Sequence, residues 1–137
     1  MRSKKYVLDS YAVLAVIEGE TGAQIVADIV AGEETELYMS IISLGEIYYI
    51  LLRRKGEQSA EEVVQNTLAE DSLTIADVSW PRVKEAALFK PQGGLSYADA
   101  FVLALGKELK APVVTGDPEI RTAATKAGVE IVWIGSI

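Results

Sequence analysis

Short apolar runs alternate along the chain with longer stretches whose apolar residues recur at helical spacing. Lys5-Leu8, Glu36-Met39, Leu73-Ala76, Pro112-Thr115 and Glu130-Ile134 read as strands. Between them, Tyr11-Ile17, Gly22-Ala31, Ile41-Arg54, Ser59-Ala69, Pro81-Leu88, Tyr97-Leu109 and Pro118-Ala127 read as helices, with Gly56 and Gly128 as C-terminal stops. Strands this short and apolar, joined by helical crossovers, predict a buried parallel sheet in an α/β fold. Pro91-Gln92-Gly93-Gly94 is the one clear irregular segment, and it leads into the helix that carries Asp99. No repeat or linker interrupts the pattern, so one domain spanning residues 1–137 is expected.

Composition narrows the chemistry. The chain has no cysteine and no histidine. That excludes disulfides, thiolate nucleophiles, zinc sites built on Cys or His, and Ser-His-Asp triads. Gly94-Leu95-Ser96-Tyr97-Ala98 approaches a nucleophile elbow but lacks the imidazole it would need, and no phosphate-binding glycine loop of the common types occurs. The net charge of -7 argues against a broadly basic nucleic-acid binder. Arg2, Lys4 and Lys5 precede an apolar stretch from Tyr6 to Ile17 that superficially resembles an export signal. Asp9 interrupts it, and no run approaches the roughly 18 apolar residues of a membrane span, so a cytoplasmic protein with no membrane contact is expected.

Four carboxylates then stand out: Asp9 after the first strand, Asp117 after the fourth, Glu46 inside an apolar helix and Asp99 at the start of another. Each has a local explanation, since unpaired N–H groups at helix starts favour acids. Asp9 or Ser10 suits the cap of the first helix, and Asp117-Pro118-Glu119 is a good N-cap sequence. Ser96 to Asp99 and Ser43 to Glu46 both fit a capping box. If Ser40 caps the third helix instead, Glu46 lies beyond the capping turn. Its neighbours Ile42, Ile47, Tyr49 and Ile50, like Phe101, Val102 and Leu103 beside Asp99, leave little polar surface. A buried charge there needs donors or a cation.

In a parallel sheet the strand-to-helix turns share the carboxyl edge, so Asp9 and Asp117 belong to one edge. If the strand order is 3-2-1-4-5, they flank the crevice where the chain reverses direction across the sheet. Crowded carboxylates with oxygen-only donors select hard ions, chiefly Mg²⁺ or Mn²⁺. Such a site suits phosphoryl chemistry without histidine. Ser10 and Thr115 are the nearby hydroxyls that could hold water or a carboxylate, or simply cap helices.

Taken together, Tyr6-Val7-Leu8-Asp9-Ser10, Ser43-Leu44-Gly45-Glu46-Ile47-Tyr48-Tyr49, Leu95-Ser96-Tyr97-Ala98-Asp99-Ala100 and Val114-Thr115-Gly116-Asp117-Pro118-Glu119 resemble the PIN-domain nucleases, specifically the toxin ribonucleases of VapBC-type toxin-antitoxin pairs. The likeness covers the whole chain. It implies a three-layer α/β/α sandwich on a five-stranded parallel sheet of order 3-2-1-4-5, Mg²⁺- or Mn²⁺-dependent cleavage of RNA phosphodiesters, homodimerisation, and inhibition by a VapB-like antitoxin whose tail enters the cleft. Carried over, Asp9, Glu46, Asp99 and Asp117 become metal ligands or water-orienting acids, with Glu119, Ser10 and Thr115 around them. One departure is Ile120, where the family often has phenylalanine; that residue is expected to pack rather than ligate.

The acidic balance is awkward for an RNA enzyme. Arg53, Arg54 and Lys55, with Lys84, Lys90, Lys107, Lys110 and Arg121, are the candidates to rim the cleft with positive charge. Tyr48, Tyr49, Trp80 and Tyr97 are candidates for base stacking or an interface, against a default of packing. The alternative from a different class is a PIN-like scaffold that binds RNA or a partner with negligible cleavage.

Overall fold

The computed structural model describes residues 3–92 and 94–136; Arg2 and Gly93 lie outside the described residues. Strands β1 (Lys4–Leu8), β2 (Thr35–Ser40), β3 (Leu73–Ala76), β4 (Val113–Thr115) and β5 (Ile131–Trp133) form one sheet in the order β3-β2-β1-β4-β5. All four pairings are parallel. The connecting helices are α1 (Ser10–Glu18), α2 (Ala23–Val30), α3 (Ile41–Lys55), α4 (Glu57–Leu68), α5 (Trp80–Phe89), α6 (Tyr97–Leu109) and α7 (Pro118–Ala127). The expected strands and helices are all present, shifted by at most two residues at their ends. Pro91 and Gln92, which begin the segment read as irregular, belong to a single 3₁₀ turn, Lys90–Gln92.

The strand order explains the layers. From β1 the chain steps outward to β2 and β3, then crosses back to β4 and β5. Right-handed crossovers therefore place α1 to α4 on one face and α5 to α7 on the other. Side-chain alternation feeds both faces: Val7 and Val113 join Phe89, Phe101 and Ile120 on the α5–α7 side. Leu8 and Val114 join Ala12, Val26, Ile47 and Leu51 on the other. Burial is complete in β4, where Val113, Val114 and Thr115 are all buried, and in the last two residues of β1, so the apolar runs are densest at the middle of the sheet.

Helix α6 is the central element of its layer. Ala100 to Gly106 are all buried, as the all-round apolar sequence predicts. A side chain at Gly106 would put its Cβ 2.8 Å from Cγ2 of Val113, so glycine is what lets α6 close onto β4. Ile120 is fully buried in the same layer and packs as expected. Truncating it to alanine would cost about 2–5 kcal/mol. Among the described residues no helix is long and apolar enough to cross a membrane.

Candidate metal centre

The site lies at the carboxyl edge, in the crevice between β1 and β4. Asp9 follows β1 directly and caps α1, its Oδ1 accepting the Ala12 N–H at 2.9 Å. Thr115 ends β4, and its hydroxyl donates to Oδ2 of Asp9 while accepting the Asp117 N–H at 3.0 Å. Asp117 in turn caps α7, accepting the Glu119 N–H at 2.8 Å with Pro118 in the first turn. Between them, a Cβ at Gly116 would fall 2.3 Å from the Tyr11 ring. The missing side chain is what allows α1 and the turn bearing Asp117 to approach. The only mark of this glycine in the sequence is its place between Thr115 and Asp117.

The two helix-borne acids arrive differently. Ser40 accepts the Ile42 N–H and caps α3, so Glu46 stands beyond the first turn and is no cap residue. Its Oε1 accepts a hydrogen bond from the Ser10 hydroxyl at 2.5 Å. Ser96 caps α6 by accepting the Asp99 N–H at 3.1 Å, which puts the Asp99 carboxylate over the same crevice. Carboxylate oxygens of Asp99, Asp117 and Glu119 lie within 4.8 Å of one another. Glu119, expected only at the periphery, thus stands with two of the four principal acids.

Burial first, and neighbouring charge second, raise two carboxyls of the group. Burial raises the Asp9 carboxyl to about 7, with the charges of Asp99 and Asp117 adding to it and the Thr115 and Ala12 hydrogen bonds opposing. Asp99 is also raised to about 7, first by burial and then by the charges of Asp117 and Glu46. Those couplings tie Asp9 and Glu46 to the Asp99–Asp117–Glu119 trio. The ion pairs among the described residues all lie elsewhere: Arg54 with Glu18, Arg82 with Asp77 and Glu108, and Lys107 with Glu85. An acidic group without a basic partner suits a cation, and all-oxygen donors suit a hard divalent one.

Two members of the expected basic rim lie away from the acids. Lys107 and Lys110 end α6, whose first turn carries Asp99, and Lys110 is about 16 Å down the helix axis from it at 1.5 Å per residue. They belong to the opposite edge of the sheet. Arg121 lies 3.8 Å above the Trp133 ring, and Lys90 donates to the Leu95 carbonyl. Of the aromatics, Tyr48 donates to Glu61, and Tyr97 packs edge-on against Phe101 at 5.0 Å between centroids.

Comparison with known proteins agrees with the fold. The PIN-domain family model matches residues 6–126. The structure of Mycobacterium tuberculosis VapC20, a Sarcin-Ricin loop cleaving toxin, superposes with a TM-score of 0.71 at 18% identity, covering 86% of this chain and 94% of that one. VapBC2 from Rickettsia felis, bound to a DNA fragment from its promoter, gives 0.72 at 14% identity, covering 93% and 97%. VapBC-5 from Mycobacterium tuberculosis gives 0.66 at 14% identity, covering 95% and 98%. No curated protein matches the chain at a significant level.

Proposed function

The chain belongs to the PIN-domain family, and on that premise we propose that it is a Mg²⁺- or Mn²⁺-dependent endoribonuclease, acting in the cytoplasm as the toxin of a toxin-antitoxin pair. One observation carries the reading: five acids crowd the β1/β4 crevice, and no basic side chain among the described residues pairs with any of them. Asp9, Glu46, Asp99 and Asp117 would hold the cation, with Glu119 beside Asp99 and Asp117. One or two such ions polarise a phosphate and acidify water, which makes imidazole unnecessary.

The chain's own residues orient the site. Thr115 and Ser10 each donate to one carboxylate oxygen, of Asp9 and Glu46 respectively, and so fix two rotamers while leaving lone pairs free. The capping bonds of Asp9 and Asp117 do the same from the backbone side. Capping and cation binding are compatible here because an ionised carboxylate has about four acceptor positions.

RNA as substrate is supported by the loop-cleaving toxin among the similar structures, and a VapB-like antitoxin by the VapBC assemblies. An apolar hollow of about 230 Å³, lined by residues such as Val13, Val16, Ile17, Val26, Val30 and Val63, suits an apolar antitoxin segment. A homodimer is part of the same reading. Purified protein is expected to cut RNA from a broad panel with Mg²⁺ or Mn²⁺, to stop in EDTA, and to lose activity as Asp9→Asn. Binding without cleavage across that panel would favour the scaffold reading, and cleavage in EDTA would remove the cation from the account.

A further inference from the structure

We propose that the edge of the sheet opposite the carboxylates is a second RNA contact, holding backbone phosphates through Lys4, Lys5 and Lys110; this rests on the ribonuclease reading. Two adjoining hollows meet there. One, of about 410 Å³, is lined by Ser3, Lys4, Lys5, Tyr6, Lys110 and Pro112. The other, of about 250 Å³, shares Lys110 and Pro112 and adds Lys107 and Glu130. Lys4, Lys5 and Lys110 are exposed and join none of the ion pairs formed among the described residues.

Lys110 has a feature that solvation alone does not explain. It caps α6 with φ 53 and ψ 45, and it is the only non-glycine residue among the described ones with positive φ. Helices α1 and α7 end in the same left-handed conformation with Gly19 and Gly128, which adopt it without strain. A glycine would serve α6 equally well as a cap. A lysine held in a strained conformation, beside two more lysines without ion-pair partners, points to use of its charge.

The ligand follows from the charge balance. The chain carries -7 overall and gathers acids at its cleft, so attraction for a polyanion must come from elsewhere on the surface. Acids border the lysines: Glu130 in the second hollow, Glu36 opposite Lys5 on β2, and Glu33 and Glu34 in a neighbouring hollow that Lys4 also lines. Those acids confine the strand to the β1/β4 side. Compact ammonium groups act as point charges on phosphates, and phosphate contacts carry no sequence information, so this contact adds affinity without sequence preference.

The test is fluorescence anisotropy of a labelled single-stranded RNA with metal-free protein over a KCl series, using wild type, Lys5→Gln and Lys110→Gly. Each variant should bind several-fold more weakly and lower the slope of log affinity against log salt by about 0.7–1. Lys110→Gly should also melt at a higher temperature than wild type, so lost affinity cannot be ascribed to unfolding. Wild-type affinity and slope in both variants would overturn the proposal, as would no RNA binding by the wild type. Cleavage with Mg²⁺ is scored separately: an active enzyme whose variants bind unchanged sinks this contact alone, whereas lysine-dependent binding without cleavage sinks the nuclease reading alone.

Discussion

The Thr115 hydroxyl donates to Oδ2 of Asp9, joining the ends of two adjacent strands across 106 residues of sequence. The same oxygen accepts the Asp117 N–H, so one side chain sets the spacing of two of the four principal acids. Thr115→Val keeps the shape and removes both interactions. It is expected to lower RNA cleavage by about 10–100-fold through the misplaced carboxylate, and to cost about 1–3 kcal/mol for the buried partner left without its bond. Thr115→Ser should retain most of both. Single-turnover kinetics and thermal melts of the two variants decide it; equal activity in the valine variant would show that the hydroxyl only completes the strand end.

Ser10 does for Glu46 what Thr115 does for Asp9, but from a half-buried position. Ser10→Ala is expected to reduce cleavage by about tenfold, the low end for a lost supporting hydrogen bond. Its melting temperature should barely change. Loss of stability without loss of rate would reassign Ser10 to the packing of α1 against α3.

The raised carboxyls give metal-free stability a defined pH dependence. Burial pushes Asp9 up to about 7 in the folded chain from an ordinary 3.8, so between about 4 and 7 the native state keeps a proton that the unfolded chain has released. Stability therefore falls as pH rises through that window and levels off above it. In EDTA the protein should melt at a higher temperature at pH 5 than at pH 8, and Asp9→Asn should remove part of the difference. Added Mg²⁺ should raise the melting temperature at pH 8 more than at pH 5, because a cation binds the ionised form. An unchanged melting temperature across pH in EDTA would contradict the burial of an unpaired carboxyl.

Gly116 is predicted to be intolerant of even a methyl group, since its Cβ would enter the Tyr11 ring. Gly116→Ala should cost about 1–3 kcal/mol by overpacking. Combining it with Tyr11→Ala should cost less than the sum of the two single changes, a coupling readable in a double-mutant cycle by urea unfolding. Strict additivity would mean that the two residues do not meet.

The elements were legible because both faces of the sheet are buried and the helices carry clear caps, so periodicity and punctuation agreed along the chain. Strand order was not: nothing in the spacing of Leu8 and Val114 says they are neighbours, since a register partner 106 residues away leaves no periodic trace. That order came from resemblance. At the site, Asp9 and Asp117 were legible as strand-end acids and Glu46 as an uncapped charge once Ser40 is seen to cap α3. The placement of Lys107 and Lys110 was not, although both sit on the helix of Asp99. Thirteen residues of helix cross the whole sheet, so charges near its end cannot serve its beginning.

The central claim, that these acids converge on a divalent cation, is tested most directly by diffraction from Mn²⁺-soaked crystals at a wavelength where manganese scatters anomalously. The account predicts an anomalous peak within about 2.0–2.3 Å of carboxylate oxygens of Asp99 and Asp117, with Asp9 and Glu46 bound directly or through water. No peak in the crevice at saturating Mn²⁺ would contradict it.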